Sequence, residues 1–317
     1  MDTILVTGAN GFVGKALCEL LVDNGMLVKA AVRSDVSKLD DRIDYISVGE
    51  IDGETDWQAA LANVDVIVHL AARVHVMNET ASDPLNEFRR INTVGSNKLA
   101  RDAAMSGVKR FIYLSTIKVN GEETHTIPFS EQVNNVPTDP YGLSKWEAEN
   151  NLRQISAETK MEVVIIRPPL VYGPGVKGNF NTLLKLVAKG VPLPLAGVEN
   201  QRSLVSLGNL VDLIRECIVN PGAAGETFLV SDGHDLSTAG LISVIASEMG
   251  KSPRLIPVPL WLLNIFAAIL GKKMVARRLL ASLQVDVSKA QEILGWSAPY
   301  SVEHEIAKTV DWYRGRK

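Results

Sequence analysis

The sequence predicts an α/β fold: a doubly wound parallel sheet joined to a smaller, mostly helical C-terminal domain. Three observations carry that prediction. Short Val/Ile/Leu-rich runs alternate with helical patterns through the first half; a glycine-rich turn separates the first run from the first helical pattern; and the texture changes after Arg167, where Pro168, Pro169, Pro174, Pro192 and Pro194 cluster. Alternation of this kind builds βα units, and a proline-rich change of texture marks long loops instead. Residues 1–166 are therefore expected to form the sheet domain, with a return at 203–230, and residues 167–202 and 231–317 the smaller one.

The elements follow in order. Strands are expected at 4–7, 27–32, 43–48, 64–70, 110–114 and 163–166, each an apolar run without polar alternation. Such runs suit strands covered on both faces. Helical patterns lie between them at 13–23, 84–105 and 141–158. A helix at 208–219 and a strand at 227–230 bring the chain back to the sheet, and the rest is mostly helical. One stretch, 255–270, is apolar over about 16 residues, against the roughly 20 needed to span a bilayer. It is read as a buried helix of the smaller domain. The alternative is an interfacial membrane contact, helped by Lys272, Lys273, Arg277 and Arg278 just beyond it.

Composition narrows the function. With 317 residues, 46% hydrophobic, 22% charged and a net charge of −3, the chain has no basic field to bind a phosphate polymer. Nucleic acid is excluded as an expected partner. Cys18 and Cys217 are far apart and set in apolar helical contexts, which suits a reducing cytoplasm. The five histidines show no metal-ligand spacing, so no metal is expected. The expected first strand follows Met1 and Asp2 directly, leaving no room for a signal peptide.

The strongest local signal is TGANGFVG, Thr7 to Gly14, between a strand and a helix. Gly8 permits a tight turn, Gly11 lets backbone approach a diphosphate, and Gly14 lets helix and strand pack closely. Free N–H groups at the helix start then attract the anion. The turn predicts a Rossmann-type dinucleotide site, with Asn10, Phe12 and Val13 among its contacts. Arg33 stands at the end of the second strand, where many NAD enzymes carry an acid. It could pair with a 2′-phosphate, or be a solvated or adenine-stacking residue. NADP or NAD is expected, NADPH slightly favoured. Glu50 and Ile51 follow the third strand and could border the adenine. Leu70, Ala71 and Ala72 end the fourth, where small residues let the cofactor pass, and His69 reads as a core histidine.

The segment YGLSK places Tyr141 and Lys145 at i and i+4, on one helical face. An ammonium beside a phenol lowers the phenol's pKa, toward the range of a general acid/base. Lys145 can also hold a nicotinamide ribose. A hydroxyl, Ser115 or Thr116, lies at the carboxyl end of the fifth strand, the edge where open α/β sheets bind ligands. Asn92, in RINTVG, either orders the helix that carries cofactor contacts or is an ordinary helix polar residue.

With those elements placed, TGANGFVG, HLAA, Ser115-Thr116, YGLSK, RPPLVYGPG (167–175) and VDVSKAQEILGW (285–296) resemble the extended short-chain dehydrogenase/reductases. That superfamily includes nucleotide-sugar epimerases, dehydratases and ketoreductases. The stretches AARVHVMNETASDPLNEFRRIN (71–92) and STIKVNGE (115–122) resemble a narrower group. These are bacterial proteins often labelled UDP-glucose 4-epimerases, among them reductases that form UDP-N-acetylquinovosamine for surface polysaccharide. The resemblance implies Thr116, Tyr141 and Lys145 as catalytic residues and Pro168 as a further cofactor contact. It implies Arg202, with Arg277 or Arg278, at the nucleotide diphosphate, and Asn179 at the substrate. His75, Lys118 and Asn120 are sugar-pocket candidates or structural residues. It also implies a UDP-sugar substrate and a homodimer formed through the helices at 84–105 and 141–158.

Departures from the family pattern refine the expectation. Dehydratases carry Asp-Glu directly after the catalytic threonine, and here Ile117 and Lys118 stand there. Leu170 occupies a position where epimerases and dehydratases usually have Asn, and Val119-Asn120-Gly121 replaces a V-Y-G strand end. The expected activity is 4-ketoreduction of a UDP-linked 4-keto-6-deoxy-N-acetylhexosamine. The alternatives are a nucleotide-sugar 4-epimerase with retained NAD and a hydroxysteroid-type lipid ketoreductase.

Overall fold

The computed structural model describes residues 2–34, 40–74, 83–133, 135–269, 271 and 273–315. Its strands are β1 (Thr3–Thr7), β2 (Leu27–Val32), β3 (Asp44–Ser47), β4 (Val66–His69), β5 (Arg110–Leu114), β6 (Glu162–Arg167), β7 (Leu170–Tyr172), β8 (Leu204–Ser206) and β9 (Thr227–Leu229). Seven of them form one parallel sheet in the order β3-β2-β1-β4-β5-β6-β9. The order reverses between β1 and β4, and ligands of open α/β sheets bind in the crevice beyond such a switch.

The unbroken apolar runs are explained by what covers them. Ile4, Val6, Val66, Val68 and Ile112 pack on one face with helices Phe12–Asp23 and Leu207–Val219. Their alternates Leu5, Ile67, Phe111 and Tyr113 pack on the other with helices Ser96–Met105 and Pro140–Glu158. Each side chain so buried contributes roughly 1.5–3 kcal/mol. A further core gathers Tyr172, Phe180, Leu184, Ile245, Ile306 and Val310 beside the small β7–β8 sheet. The half-buried ring of Phe12 packs against both this core and the main one.

Three expectations change. The helix at 84–105 is not continuous: it runs as Pro84–Phe88, a π-helical stretch Arg89–Gly95, and Ser96–Met105. The wider turn goes with two consecutive buried polar residues, Asn92 and Thr93, both bonded across to Ser144. The segment around Ala290, Leu294 and Trp296 packs on the main core instead of the smaller one, Trp296 Nε1 donating to Asp212 at 2.9 Å. The apolar stretch near residue 260 is not buried. Helix Leu260–Ile269 contains no buried residue, and Trp261 is 64% and Ile269 74% exposed. No helix among the described residues is long and apolar enough to cross a membrane.

Candidate active site

The glycine turn closes where β1 and β4 end. Gly8 has φ +67°, and a Cβ there would lie 2.9 Å from the Ala71 nitrogen. A Cβ on Gly14 would lie 2.2 Å from the Gly8 carbonyl oxygen, so the first helix rests directly on the turn. Gly11 is the N-cap of Phe12–Asp23 and supplies no side-chain cap, and no acid stands in the first turn. The first N–H groups of that helix therefore face a cradle free of side chains, with Asn10 and Gly11 exposed and Val13 half-buried. A dinucleotide diphosphate fits that geometry and charge.

Around the turn, Leu70, Ala71 and Ala72 are half-buried beyond β4, and Ile51 is half-buried beyond β3. Arg33 is largely exposed, with Nη1 4.0 Å from Glu50, which also lies 3.4 Å from Arg90. His69 is buried between Thr7 Oγ1 (2.7 Å, at Nδ1) and Ser96 Oγ (2.8 Å, at Nε2). Burial, and then the Lys145 charge, push its pKa down to about 3, so the ring is neutral. It is a core histidine, as its sequence context indicates.

The reactive cluster lies beyond β5. Thr116 caps the short helix Ile117–Val119 and stands beside the phenol of Tyr141, whose ring packs on Phe88 at 5.8 Å. Ser115 turns the other way, donating to Glu149 at 2.6 Å, so Thr116 is the hydroxyl that faces the phenol. Lys145 is buried, donates from Nζ to the Leu114 carbonyl at 2.8 Å and sits 4.3 Å from the Tyr113 ring centroid. The lowering of the phenol by Lys145 expected from the spacing is not found. Burial and the Asp139 carboxylate push Tyr141 above its usual 10, and neighbouring Thr116 opposes them only in part. Lys145 is itself pushed down to about 7 by burial, with Glu149 opposing. Desolvation is the largest cause for both groups.

Neighbouring groups fix this cluster. Asn92 Oδ1 accepts from the Arg73 N–H (2.8 Å), while its Nδ2 donates to the Arg73 carbonyl and to Ser144 Oγ (each 3.0 Å). It ties the segment after β4 to the helix carrying Tyr141 and Lys145. Pro168 is buried, and its carbonyl accepts from Ile117 at 3.0 Å. Asp139 caps that helix through Gly142 N–H, where a Cβ would lie 2.4 Å from Asp139 Oδ2.

One buried network was missed in the sequence. Glu149 accepts from Ser115, from Arg167 Nε and Nη2 (2.9 and 2.5 Å) and from Arg153 (3.0 Å), and Arg167 is 1% exposed. The available signal was the i+4 series Tyr141, Lys145, Glu149 on one helical face.

The expected substrate contacts divide. Arg202 donates to the Ala281 carbonyl (2.9 Å), and burial and nearby Arg278 push its guanidinium below its usual range. Two cations held together in this way suit a diphosphate. Arg277 instead binds Glu123 (2.9 Å) and Glu122 (3.4 Å), a carboxylate pair that takes up its charge. Lys118 binds Glu122 (3.1 Å) and Asp139 (3.0 Å). Asn120 donates to the Ser130 and Gln132 carbonyls and accepts from Arg167, so its amide holds its own loop. Asn179 is exposed at the start of helix Gly178–Ala188. His75 lies outside the described residues.

Comparison with known proteins bears on this arrangement. Residues 4–231 match the NAD dependent epimerase/dehydratase family. The chain is 47% identical over 310 residues to a UDP-glucose 4-epimerase of Vibrio cholerae, covering 97% of this chain and 94% of that one. It is 28% identical to the N-acetyl-alpha-D-glucosaminyl-diphospho-ditrans,octacis-undecaprenol 4-epimerase of Escherichia coli O157:H7, over 98% of this chain and 95% of that one. Among solved structures, UDP-glucuronic acid 4-epimerase from Bacillus cereus in complex with NAD shares the fold, with a TM-score of 0.80 at 22% identity over 99% of both chains.

Proposed function

The chain belongs to the NAD-dependent epimerase/dehydratase family, and from that premise we propose that it reduces the 4-keto group of a UDP-linked 4-keto-6-deoxy-N-acetylhexosamine, forming UDP-N-acetylquinovosamine. The observation that carries this reading is the phenol of Tyr141, set beside Thr116 and kept protonated by burial at the carboxyl edge of the sheet. A neutral phenol is a proton donor, which is what a carbonyl oxygen requires as it gains negative charge.

Gly8, Asn10, Gly11, Phe12 and Val13 would hold the dinucleotide diphosphate, Arg33, Glu50 and Ile51 would border the adenosine, and Leu70 to Ala72, Pro168 and Lys145 would flank the nicotinamide end. A dinucleotide held there would supply the hydride. Tyr141 gives its proton to the substrate oxygen, Thr116 donates a second hydrogen bond to the same oxygen, and Lys145, with its pKa at about 7, provides positive charge in its protonated form. Arg202 and Arg278 receive the UDP diphosphate. Elimination of water needs an acid after the threonine; Lys118 stands there with its charge bound to Glu122 and Asp139, which disfavours dehydration.

A second reading is 4-epimerisation, favoured by the identity to the Vibrio protein. It uses the same residues but retains its cofactor. A homodimer in the cytoplasm belongs to either reading; exposed Val94 and Met105, on the stretch expected to pair, support it.

The test is to incubate the purified protein with UDP-4-keto-6-deoxy-GlcNAc and NADPH or NADH, following absorbance of the reduced nicotinamide. Stoichiometric loss is the expected result. No loss, with UDP-GlcNAc and UDP-GalNAc interconverting without added cofactor, overturns the reductase in favour of the epimerase.

A further inference from the structure

The helix Leu260–Ile269 has the composition of a core element and the exposure of a surface one. Its sequence, LWLLNIFAAI, contains no charged residue, and none of its side chains is buried. Trp261, Ile265, Phe266 and Ile269 are all large, apolar and exposed, and Ile256 extends the patch toward the N-terminus. A cavity of about 480 Å³ lies between it and helix Lys273–Leu280, lined by Leu260, Asn264, Ala267, Ala276 and Leu280 and by the Glu123–Arg277 ion pair. Leu263 reaches the core of the smaller domain, and the large apolar side chains of the opposite face are left to solvent.

Charge distinguishes the occupants of such a patch. Between residues 249 and 285 the sequence has six basic residues and no Asp or Glu; with Arg277 ion-paired to Glu122 and Glu123 and Arg278 set beside Arg202, Lys251, Arg254, Lys272 and Lys273 are the cations left to flank the patch. This reverses the sign of a chain whose net charge is −3. Two copies meeting through this patch would set like charge against like. An anionic lipid surface meets both properties, taking the apolar face into its acyl boundary and the flanking cations among its headgroups. A helix of 10 residues rises about 15 Å, half of a hydrocarbon core, so it lies along the surface and does not cross it. Trp261, 64% exposed, is the residue type that gathers at that depth.

We infer that residues 256–269 form an interfacial docking element that seats the protein on an anionic membrane surface. Arg277 has a different part. Its ion pairs to Glu122 and Glu123 fasten the following helix to the loop after Thr116, and Lys118, bonded to Glu122 and Asp139, continues that line to the start of the Tyr141 helix. Docking therefore places the reactive edge of the sheet close to the lipid.

The experiment uses the full chain and vesicles of phosphatidylcholine with or without phosphatidylglycerol. Co-sedimentation with the anionic vesicles only, weakened by salt, is expected. The double substitution Trp261→Glu with Phe266→Glu should weaken that binding by about tenfold or more while leaving turnover of soluble nucleotide sugar unchanged. Brominated lipids should quench the tryptophan emission of the unmodified protein and fail to do so after Trp261→Phe. Absence of both sedimentation and quenching overturns the inference. So does a concentration-dependent dimer that the same double substitution abolishes, since the patch would then be a contact between copies.

Discussion

At the carboxyl edge of the sheet, charged side chains lie inside; on helix Leu260–Ile269, apolar ones lie outside. Lys145, Glu149 and Arg167 are each no more than 1% exposed, while Trp261 and Ile269 are mostly in solvent. Each region departs from the ordinary sorting of side chains, and each departure has its own physical condition. Buried charge persists only with partners, and every one of those three has them. Exposed apolar surface has no such internal compensation, and its counterpart lies outside the chain. Satisfied polarity inside marks chemistry; unsatisfied apolarity outside marks an encounter.

The sharpest way to break the comparison is at the reactive edge. Tyr141→Phe should lower turnover by about 10³-fold or more while dinucleotide binding, read by calorimetry, stays within a few-fold. Retained activity would remove the proton donor from the scheme. Next comes the network beneath it. Glu149→Ala leaves Arg167 buried without its carboxylate and should cost about 3–5 kcal/mol in thermal or urea unfolding. The pair Glu149→Leu with Arg167→Met should recover part of that loss, and equal loss in both variants would mean that the charges are not coupled.

Titration sharpens the same contrast. Lys145 has a folded-state pKa of about 7 against 10.5 when free. Between these values the unfolded chain holds a proton that the folded one lacks, so stability should climb as pH rises from 7 toward 10.5. His69, at about 3 against 6.5, should withdraw stability as pH falls through that window. Melting temperatures across pH for the unmodified protein, Lys145→Met and His69→Gln should show each slope vanish with its own residue.

Arg33→Ala comes after these, weakening NADPH more than NADH by only a few-fold, because Glu50 already faces the guanidinium; equal effects on both would remove the 2′-phosphate contact. Smallest is the stability change of Trp261→Glu, within about 0.5 kcal/mol. A large loss would make that helix a structural element and erase the contrast.

Much of the fold was legible because its signals are local. An apolar run of the right length and a glycine turn between strand and helix need no knowledge of distant residues, and the seven strands of the main sheet fall within two residues of where the sequence puts them, whereas the short β7–β8 pair lies where loops were expected. The Tyr141–Lys145 pair is legible for the same reason. Ser115, Asn120, Glu149 and Arg167 are not, since their network forms only when β5, β6 and one helix meet. Asn120 therefore looked like a pocket residue when its amide is engaged by its own loop. The depressed Lys145 was hidden because desolvation is a property of the assembled core. Hydropathy alone gave 255–270 as apolar without saying whether protein or something else would cover it.

Phe12 stands one residue past the N-cap of the diphosphate cradle, yet its ring belongs to both large cores, and Gly175 comes so near that a methyl there would meet it at 3.4 Å. One side chain at the start of the first helix is thus shared by the phosphate cradle and by both packed units, so a change of its size reaches all three at once.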